Sequence, residues 1–185
     1  MLAARGQFDA AHADIERALH FDPLSRSARN NEALVYFWAG RYAEALPRLH
    51  ALLAEDSSDA SVRLVLALTY SGLGRAQEAA LEFQRSGAPL LAALASADHL
   101  RLDSLRLTLE NQRTERRPDP KSMPFVALAT AYAQLGMNEH AIALLEQMLS
   151  PPTPANMVFL IWWPAFRPLH SDPAFERIRR VVFVR

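Results

Sequence analysis

The chain has 185 residues, with 20 basic and 20 acidic side chains and an apolar fraction of 50%. A neutral chain has no overall field to attract nucleic acid or an anionic membrane. The absence of cysteine excludes disulfides, thiolate zinc sites and thiol nucleophiles. Apolar stretches such as Met157 to Phe166 are much shorter than the ~20 residues of a membrane-spanning helix. We expect a soluble, cytoplasmic protein that contacts neither membrane nor nucleic acid.

A period of 34 residues dominates the first half of the sequence, in units of two predicted helices. In the unit that begins at Arg26, apolar residues recur every three or four positions on both sides of a turn at Gly40, which is the spacing of a buried helix face. Glycine there fits the left-handed conformation that ends a helix, and recurring alanines let two helices pack closely. The columns that keep the period are Gly6, Gly40 and Gly74; Ala11, Ala45 and Ala79; and Ile15, Leu49 and Phe83.

The first unit is only half a repeat. Gly6 is its turn, so residues 1–5 hold no more than the last turn of a first helix. The second helix, from Phe8 to Phe21, leaves apolar residues such as Ile15 and Leu19 uncovered on one side. We hypothesise that the chain is the C-terminal part of a longer protein or a truncated gene product, or that a second subunit covers this face in a homodimer.

The unit that begins at residue 60 and a later unit share a further pattern. Its residues are Leu66-Ala67-x2-Tyr70 with Ala79-x3-Phe83, and Leu128-Ala129-x2-Tyr132 with Ala141-x3-Leu145. The pattern resembles the tetratricopeptide repeat, a 34-residue helix–turn–helix with W-x2-L-G-x2-Y, then A-x3-F, then P. Arg29 and Arg63 stand where that pattern has tryptophan. The resemblance implies an all-α fold, a right-handed superhelical stack of antiparallel helix pairs whose first helices line a concave groove.

The register breaks in the middle of the chain. Gly74 and Gly136 are 62 residues apart, 28 more than one period, so a shorter helical unit lies between them. Leucines at helical spacing predict a helix over residues 90–111, broken near Asp98. Residues 113–124 are charged and contain three prolines, which predicts a loop. We interpret its basic cluster as a solvated linker rather than a nucleic-acid contact, because acidic residues interrupt it.

The sequence changes character after Ser150. A run of prolines stops one helix, and another is predicted to begin at Pro173 with Ser171 or Asp172 as its cap. Its predicted buried stripe is Phe175, Ile178 and Val182. This segment resembles a tail that follows the last repeat in many bacterial regulatory proteins, and it acts physically as a cap. We divide the chain, as a single domain over 1–185, into a half repeat (1–25), repeats at 26–59 and 60–87, an irregular unit (88–121), a repeat at 122–150 and a C-terminal cap (151–185).

The sequence contains no motif for catalysis or for a cofactor. The six histidines include no pair at metal-ligand spacing, and the glycine-rich phosphate loops and the hydrolase nucleophile elbow are absent. We therefore expect no enzyme activity, no cofactor and no metal. An enzyme would have to place its site in residues 90–121, where the acid–base candidates are Asp98, His99 and Asp103.

The resemblance places a partner-binding groove on the first helices of the repeats. Its predicted residues are Asn30, Leu34, Phe37, Leu64, Leu68, Ser71, Val126 and Thr130. Apolar side chains with a few amides and hydroxyls suit an amphipathic helix or an extended apolar peptide, and the groove lacks the basic residues that grip a C-terminal carboxylate. Glutamate at both Leu64 and Leu68 is expected to abolish partner binding without unfolding the chain.

We expect a protein- or peptide-binding module, and the tail favours the C-terminal regulatory or docking part of a bacterial transcriptional or signalling regulator. In proteins with such a tail, the repeats follow a winged-helix, kinase or cyclase module. The alternative is a free-standing adaptor or secretion-type chaperone, a class that is also small and built of a few repeats. A chaperone is expected to co-purify with an unstable partner, whereas a regulator fragment is not.

Overall fold

The computed structural model describes residues 2–3, 6–96, 102–104, 107, 123–150 and 158–183. Every regular element in these ranges is helical, so the predicted all-α fold is confirmed. In chain order the elements are α1 (Phe8–Phe21), α2 (Arg26–Ala39), α3 (Tyr42–Glu55), α4 (Ala60–Gly72), α5 (Ala76–Arg85), α6 (Pro89–Ala95), α7 (Met123–Gln134), α8 (Asn138–Met148), a first 3-10 helix (Val158–Trp162), a second 3-10 helix (Pro164–Ser171) and α9 (Pro173–Phe183).

Internal contacts divide the chain into two compact units, Met1–Ala92 and Ala93–Arg185. The first unit contains α1 to α5 and the start of α6, and the second contains α7 to α9 with both 3-10 helices. The single domain over 1–185 and its internal boundaries stay predictions. The expected helix break at Asp98 and the loop at 113–124 lie outside the described residues.

The glycine turns inside the helix pairs are built alike. Gly40 follows α2 with a φ of 76°, and the amide of Arg41 donates to the carbonyl of Tyr36 at 2.9 Å. The turns at Gly74 and Gly136 have φ values of 74° and 70° and make the equivalent bond. This is the hydrogen-bond pattern of the Schellman motif, which favours glycine because L side chains are strained at positive φ. Each short turn reverses the chain and makes the two helices an antiparallel pair.

The first helix of each complete pair in the first unit begins at a side-chain cap. Asp59 accepts from the amides of Ser61 and Val62 at 3.1 and 3.0 Å, ahead of α4. Ser25 accepts from the amide of Ala28 at 3.5 Å, ahead of α2. These bonds satisfy amide donors that have no partner inside the helix, so the starts of α2 and α4 follow from local sequence.

Small side chains lie where the two helices of a pair touch. Four alanines, one on each helix of the two complete pairs, are fully buried: Ala33, Ala45, Ala67 and Ala79. One turn further along the second helices, Leu49 and Phe83 are also fully buried. Because these columns recur, each pair repeats the same close contact between a small residue and its larger neighbours.

Consecutive pairs meet at a contact between an aromatic ring and a glycine. The ring of Tyr42 on α3 lies against Gly72 at the end of α4, and a β-carbon on Gly72 would lie 2.6 Å from Cζ and 2.7 Å from Cδ2 of that ring. These separations are well below the ~3.5 Å at which carbon atoms attract. A larger residue at position 72 would therefore force the Tyr42 ring to move from its place between α3 and α4.

In the second unit, α7 and α8 pack as a further pair, with Ala129 and Ala141 fully buried. The second 3-10 helix packs against α7 and α9, and α9 also contacts α8. Ile161, Phe166, Leu169 and Phe175 are fully buried in the described part of this terminal segment. The segment therefore covers the last helix pair, as the sequence predicted for a cap.

Helix α9 begins where the sequence predicted it. Pro173 is its first residue, and the carboxylate of Asp172 accepts from the amide of Ala174 at 2.8 Å. Phe175 and Ile178 are buried, which agrees with the predicted stripe. The side chain of Val182 lies outside the part of the chain whose side chains the structure describes.

Candidate partner-binding surface

Helix α2 carries the accessible part of the predicted groove. Asn30 and Leu34 are half-buried, and Asn31 beside them is exposed. Phe37, the third predicted residue on this helix, is fully buried, and its ring centroid lies 6.2 Å from that of Tyr42. The surface of α2 therefore offers two amides next to a leucine. Side-chain amides both donate and accept, so they can pair with the main chain of an extended peptide.

Helix α4 occupies the same place in the next repeat, but its predicted groove residues are less accessible. Leu64 and Leu68 are only 4% and 6% exposed. Ser71 is half-buried, and its hydroxyl donates to the carbonyl of Ala67 at 3.1 Å. Glutamate at both leucines is now expected to unfold the repeat, because a buried carboxylate without a partner is costly. Burial of both leucines argues against the prediction that this change spares the fold.

The two predicted residues of α7 are also interior. Val126 and Thr130 are buried, and the Thr130 hydroxyl donates to the Val126 carbonyl at 2.9 Å. Thr69 on α4 bonds to the carbonyl of Val65 in the same way, at 2.8 Å. Within the first unit α2 contacts α4, whereas Val126 and Thr130 belong to the second unit. Partner binding by any of the eight residues stays a prediction.

The starts of α2 and α4 are joined by an ion pair. Arg26 donates to Asp59 at 2.9 Å. Burial acts to raise the pKa of Asp59, but hydrogen bonds from the Val62 amide and the Arg26 guanidinium outweigh it, so the pKa is lowered. Asp59 therefore stays ionised as both a helix cap and a link between neighbouring repeats.

A polar cluster that was not predicted from the sequence surrounds the recurring tyrosine. The Tyr36 hydroxyl is hydrogen-bonded to His12 on α1, and the guanidinium carbons of Arg41 and Arg48 lie 4.6 and 4.3 Å from the centre of its ring. Arg48 also pairs with Glu32 at 2.8 Å. Such cation–π contacts stabilise the turn against the helices.

The next repeat contains a simpler version of the same cluster. Tyr70 is hydrogen-bonded to His50 at 2.9 Å, and Arg75 lies 4.6 Å from the centre of its ring. The arginine after the turn glycine recurs with the 34-residue period, at Arg41 and Arg75. That column was the signal from which the contact could have been predicted.

Arginine at the position of the pattern's tryptophan has a clear structural role. Arg63 pairs with Glu82 at 2.7 Å and donates to the carbonyl of Ser57. Arg29 pairs with Glu55 and donates to the carbonyl of Leu24 at 3.1 Å. In both repeats a guanidinium ties the first helix to the second helix and to the preceding turn, where the resembled pattern would pack an indole.

A second cluster lies in the terminal cap. The ring of His170 stacks on Phe175 with centroids 5.1 Å apart, and its Nε2 donates to the carbonyl of Ile161 at 3.0 Å. Trp162 lies edge-on at 6.0 Å. Burial lowers the pKa of His170, and the positive charge of Arg179 adds to the effect, although the Ile161 carbonyl opposes it. This imidazole joins both 3-10 helices to α9.

Successive antiparallel helix pairs with a shared glycine turn define the class of helical-repeat proteins. Residues 36–89 match the family model of the tetratricopeptide repeat. This stretch extends from the end of α2 to the start of α6, and the predicted resemblance is confirmed there. The match shows repeats of the tetratricopeptide type over these residues.

Neither the curated proteins nor the solved structures include one that matches this chain. Within the described ranges, no helix has the length and apolar character needed to cross a membrane. In the same part of the chain, no three histidine, aspartate or glutamate side chains are grouped so that they could hold a metal ion.

Proposed function

We propose that this chain binds a protein or peptide through the outward surface of α2 and acts by binding rather than by catalysis. The observation that carries the proposal is the tetratricopeptide match over residues 36–89, together with an accessible first helix in its leading repeat. The proposal assigns the chain no cofactor and no direct contact with nucleic acid or membrane.

The chemistry of α2 favours an extended peptide with apolar side chains. Asn30 and Asn31 supply amides for the peptide main chain, and Leu34 supplies an apolar contact one turn away. Ser27 on the same helix is exposed and adds a hydroxyl. No lysine or arginine stands in the predicted groove columns, so the proposal does not require an acidic ligand.

The tail supports a more specific proposal, the C-terminal regulatory or docking part of a bacterial transcriptional or signalling regulator in the cytoplasm. Its support is the resemblance of the segment that folds into the 3-10 helices and α9. The alternative is a free-standing adaptor or secretion-type chaperone, which the tetratricopeptide match supports equally well.

The test is photocrosslinking in the cells that make this protein. A photoreactive amino acid replaces Asn31 on α2 and, as a matched control, Asn138, an exposed asparagine at the start of α8. We expect a discrete crosslinked protein from position 31 that position 138 does not capture. Equal capture at both positions, or none at position 31, would contradict the proposal. A captured protein that becomes unstable when this chain is deleted would favour the chaperone alternative over the regulator.

A further inference from the structure

Among the residues that the structure describes, one edge of α1 is less covered than the corresponding edges of the other second helices. The column of Ile15 contains Leu49, Phe83 and Leu145, which are fully buried, whereas Ile15 is only half-buried. Ala18 is exposed, although two of its counterparts, Leu52 and Met148, are fully buried and the third, Ser86, is half-buried. We call this the open edge of α1 and define it by Asp14, Ile15, Ala18 and Phe21. Its apolar residues stand at positions that are buried in other repeats, but here they are not fully covered.

Ion pairs in the other repeats show what faces this edge. Asp14 shares its column with Arg48 and Glu82. Arg48 pairs with Glu32 on α2 at 2.8 Å, and Glu82 pairs with Arg63 on α4 at 2.7 Å. In these two repeats the column thus meets a charge of opposite sign on the first helix of the same pair, whereas its counterpart on α8 is the buried Leu144.

Among the residues that the structure describes, the ion pair of Asp14 lies within α1 and does not cross to another helix. Its carboxylate pairs with Arg17, one turn along the same helix, and remains 52% exposed. A second helix placed against this edge with a cation at the height of Asp14 would reproduce the geometry of Arg63 and Glu82.

The C-terminal end of the edge specifies apolar contact. Phe21 is 87% exposed, and its counterpart one repeat later is Glu55, which binds Arg29 of its own first helix. A carboxylate at this position pairs with an arginine, whereas the phenyl ring of Phe21 packs favourably only against an apolar side chain.

The opposite end of α1 is already covered. Gln7 and Gly6 donate to the carbonyls of Leu2 and Ala3 at 3.1 and 3.0 Å, as in the Gly40 turn, and Ala3 is buried. The open edge therefore extends over residues 14–21, a length of about two turns of helix.

We propose that the open edge of α1 docks a short amphipathic helix of a partner protein, with an apolar stripe against Ile15, Ala18 and Phe21 and a lysine or arginine that pairs with Asp14. This site is separate from the outward surface of α2. Its failure would leave the crosslinking test at Asn31 unaffected.

The chain itself supplies a probe of the required chemistry. A peptide with the sequence of residues 59–69 contains the first turns of α4, including Arg63, which packs against the equivalent columns of α5. It is made with a hydrocarbon staple on its outward side and a fluorescent label, because so short a peptide is barely helical in water. Binding to the full chain is measured by fluorescence anisotropy.

We expect saturable binding that Asp14→Arg weakens by about fivefold or more, the scale of one exposed charge pair. The peptide with Arg63→Glu should bind the original chain equally poorly and should regain affinity for the Asp14→Arg variant. Glu146→Arg, an exposed charge reversal on α8, is the matched control and should leave binding unchanged.

Ala18→Glu tests the apolar stripe. Because Ala18 is exposed, the variant should keep its helical circular dichroism and thermal midpoint while losing at least tenfold in affinity. The proposal is overturned if the peptide does not bind, or if it binds the Asp14→Arg and Ala18→Glu variants as well as the original. It is also overturned if sedimentation shows a homodimer that Ala18→Glu dissociates, since a second copy would then be the occupant.

Discussion

Helices α2 and α4 occupy the same place in consecutive repeats, yet they differ in what they expose. Five of the 14 residues of α2 are buried, against eight of the 13 residues of α4. The columns that differ pair Asn30 with Leu64 and Leu34 with Leu68. The shared alanine and tyrosine columns maintain the repeat, while the outward columns decide whether a first helix is a surface or part of the interior.

Double substitutions on α2 and on α4 should show the largest difference in stability between the two helices. Leu64→Glu with Leu68→Glu should destabilise the chain by roughly 4 kcal/mol or more, because two carboxylates would be buried without partners. Asn30→Glu with Leu34→Glu on α2 is the matched control and should cost within about 1 kcal/mol. Urea unfolding followed by circular dichroism measures both. Equal stability of the two double variants would show that α4 is as accessible as α2.

Arg29 and Arg63, which stand at the tryptophan position of the pattern, should also contribute unequally to stability, with the larger contribution again on α4. Glu82 is only 9% exposed and Glu55 is 37% exposed. Arg63→Met should therefore destabilise by about 2 kcal/mol, since it weakens the pairing of a buried carboxylate that retains Arg85 at 2.6 Å. Arg29→Met should cost about 0.5 kcal/mol. If the Arg29 variant proves the less stable of the two, burial of the carboxylate is not what sets the cost.

Gly72 tests how the two repeats are joined. Alanine normally stabilises a helix relative to glycine. Gly72→Ala should instead destabilise by about 1–2 kcal/mol, because its β-carbon would overlap the Tyr42 ring. In a Tyr42→Ala background the same change should stabilise by about 0.5–1 kcal/mol, and the double-mutant cycle measures the coupling. A null coupling energy would contradict the aromatic–glycine contact.

The features that could be predicted from sequence are those that packing repeats. Ala33, Ala45 and the turn at Gly40 recur because two helices can approach closely only at a small residue and turn sharply only at a left-handed one. The burial of Leu64 could not be predicted in this way. The position of a residue within the repeat predicts the direction in which its side chain points. It does not predict which other residues cover that side of the helix.

Two other features lacked a periodic signal. Arg29 and Arg63 share a column, but their acids, Glu55 and Glu82, stand in different columns of the second helix. Sequence spacing alone therefore did not pair them. The cluster around His170 depends on two 3-10 helices, and such short elements leave no amphipathic period that a sequence reading could detect.

The smallest expected effect is a pH dependence of the stability of the terminal cap. The cap lies outside the 34-residue repeats. The lowered pKa of His170 means that the unfolded chain binds a proton more readily than the folded one. Its contribution to stability is therefore complete above the ordinary histidine pKa, about 6.5, and is lost as the pH falls below that value. Arg167 and Arg179 favour the neutral imidazole, while Glu176 opposes them.

A proton titration followed by NMR at the His170 ring should give a pKa below the ordinary value, and urea unfolding should show lower stability at pH 5.5 than at pH 7.5. His170→Gln keeps a donor for the Ile161 carbonyl but cannot titrate in this range. The variant should lose the part of the pH dependence that belongs to His170, with the dependence from other groups left in place. A stability difference between pH 7.5 and 5.5 that is the same in both proteins would show that the stacked imidazole is not its source.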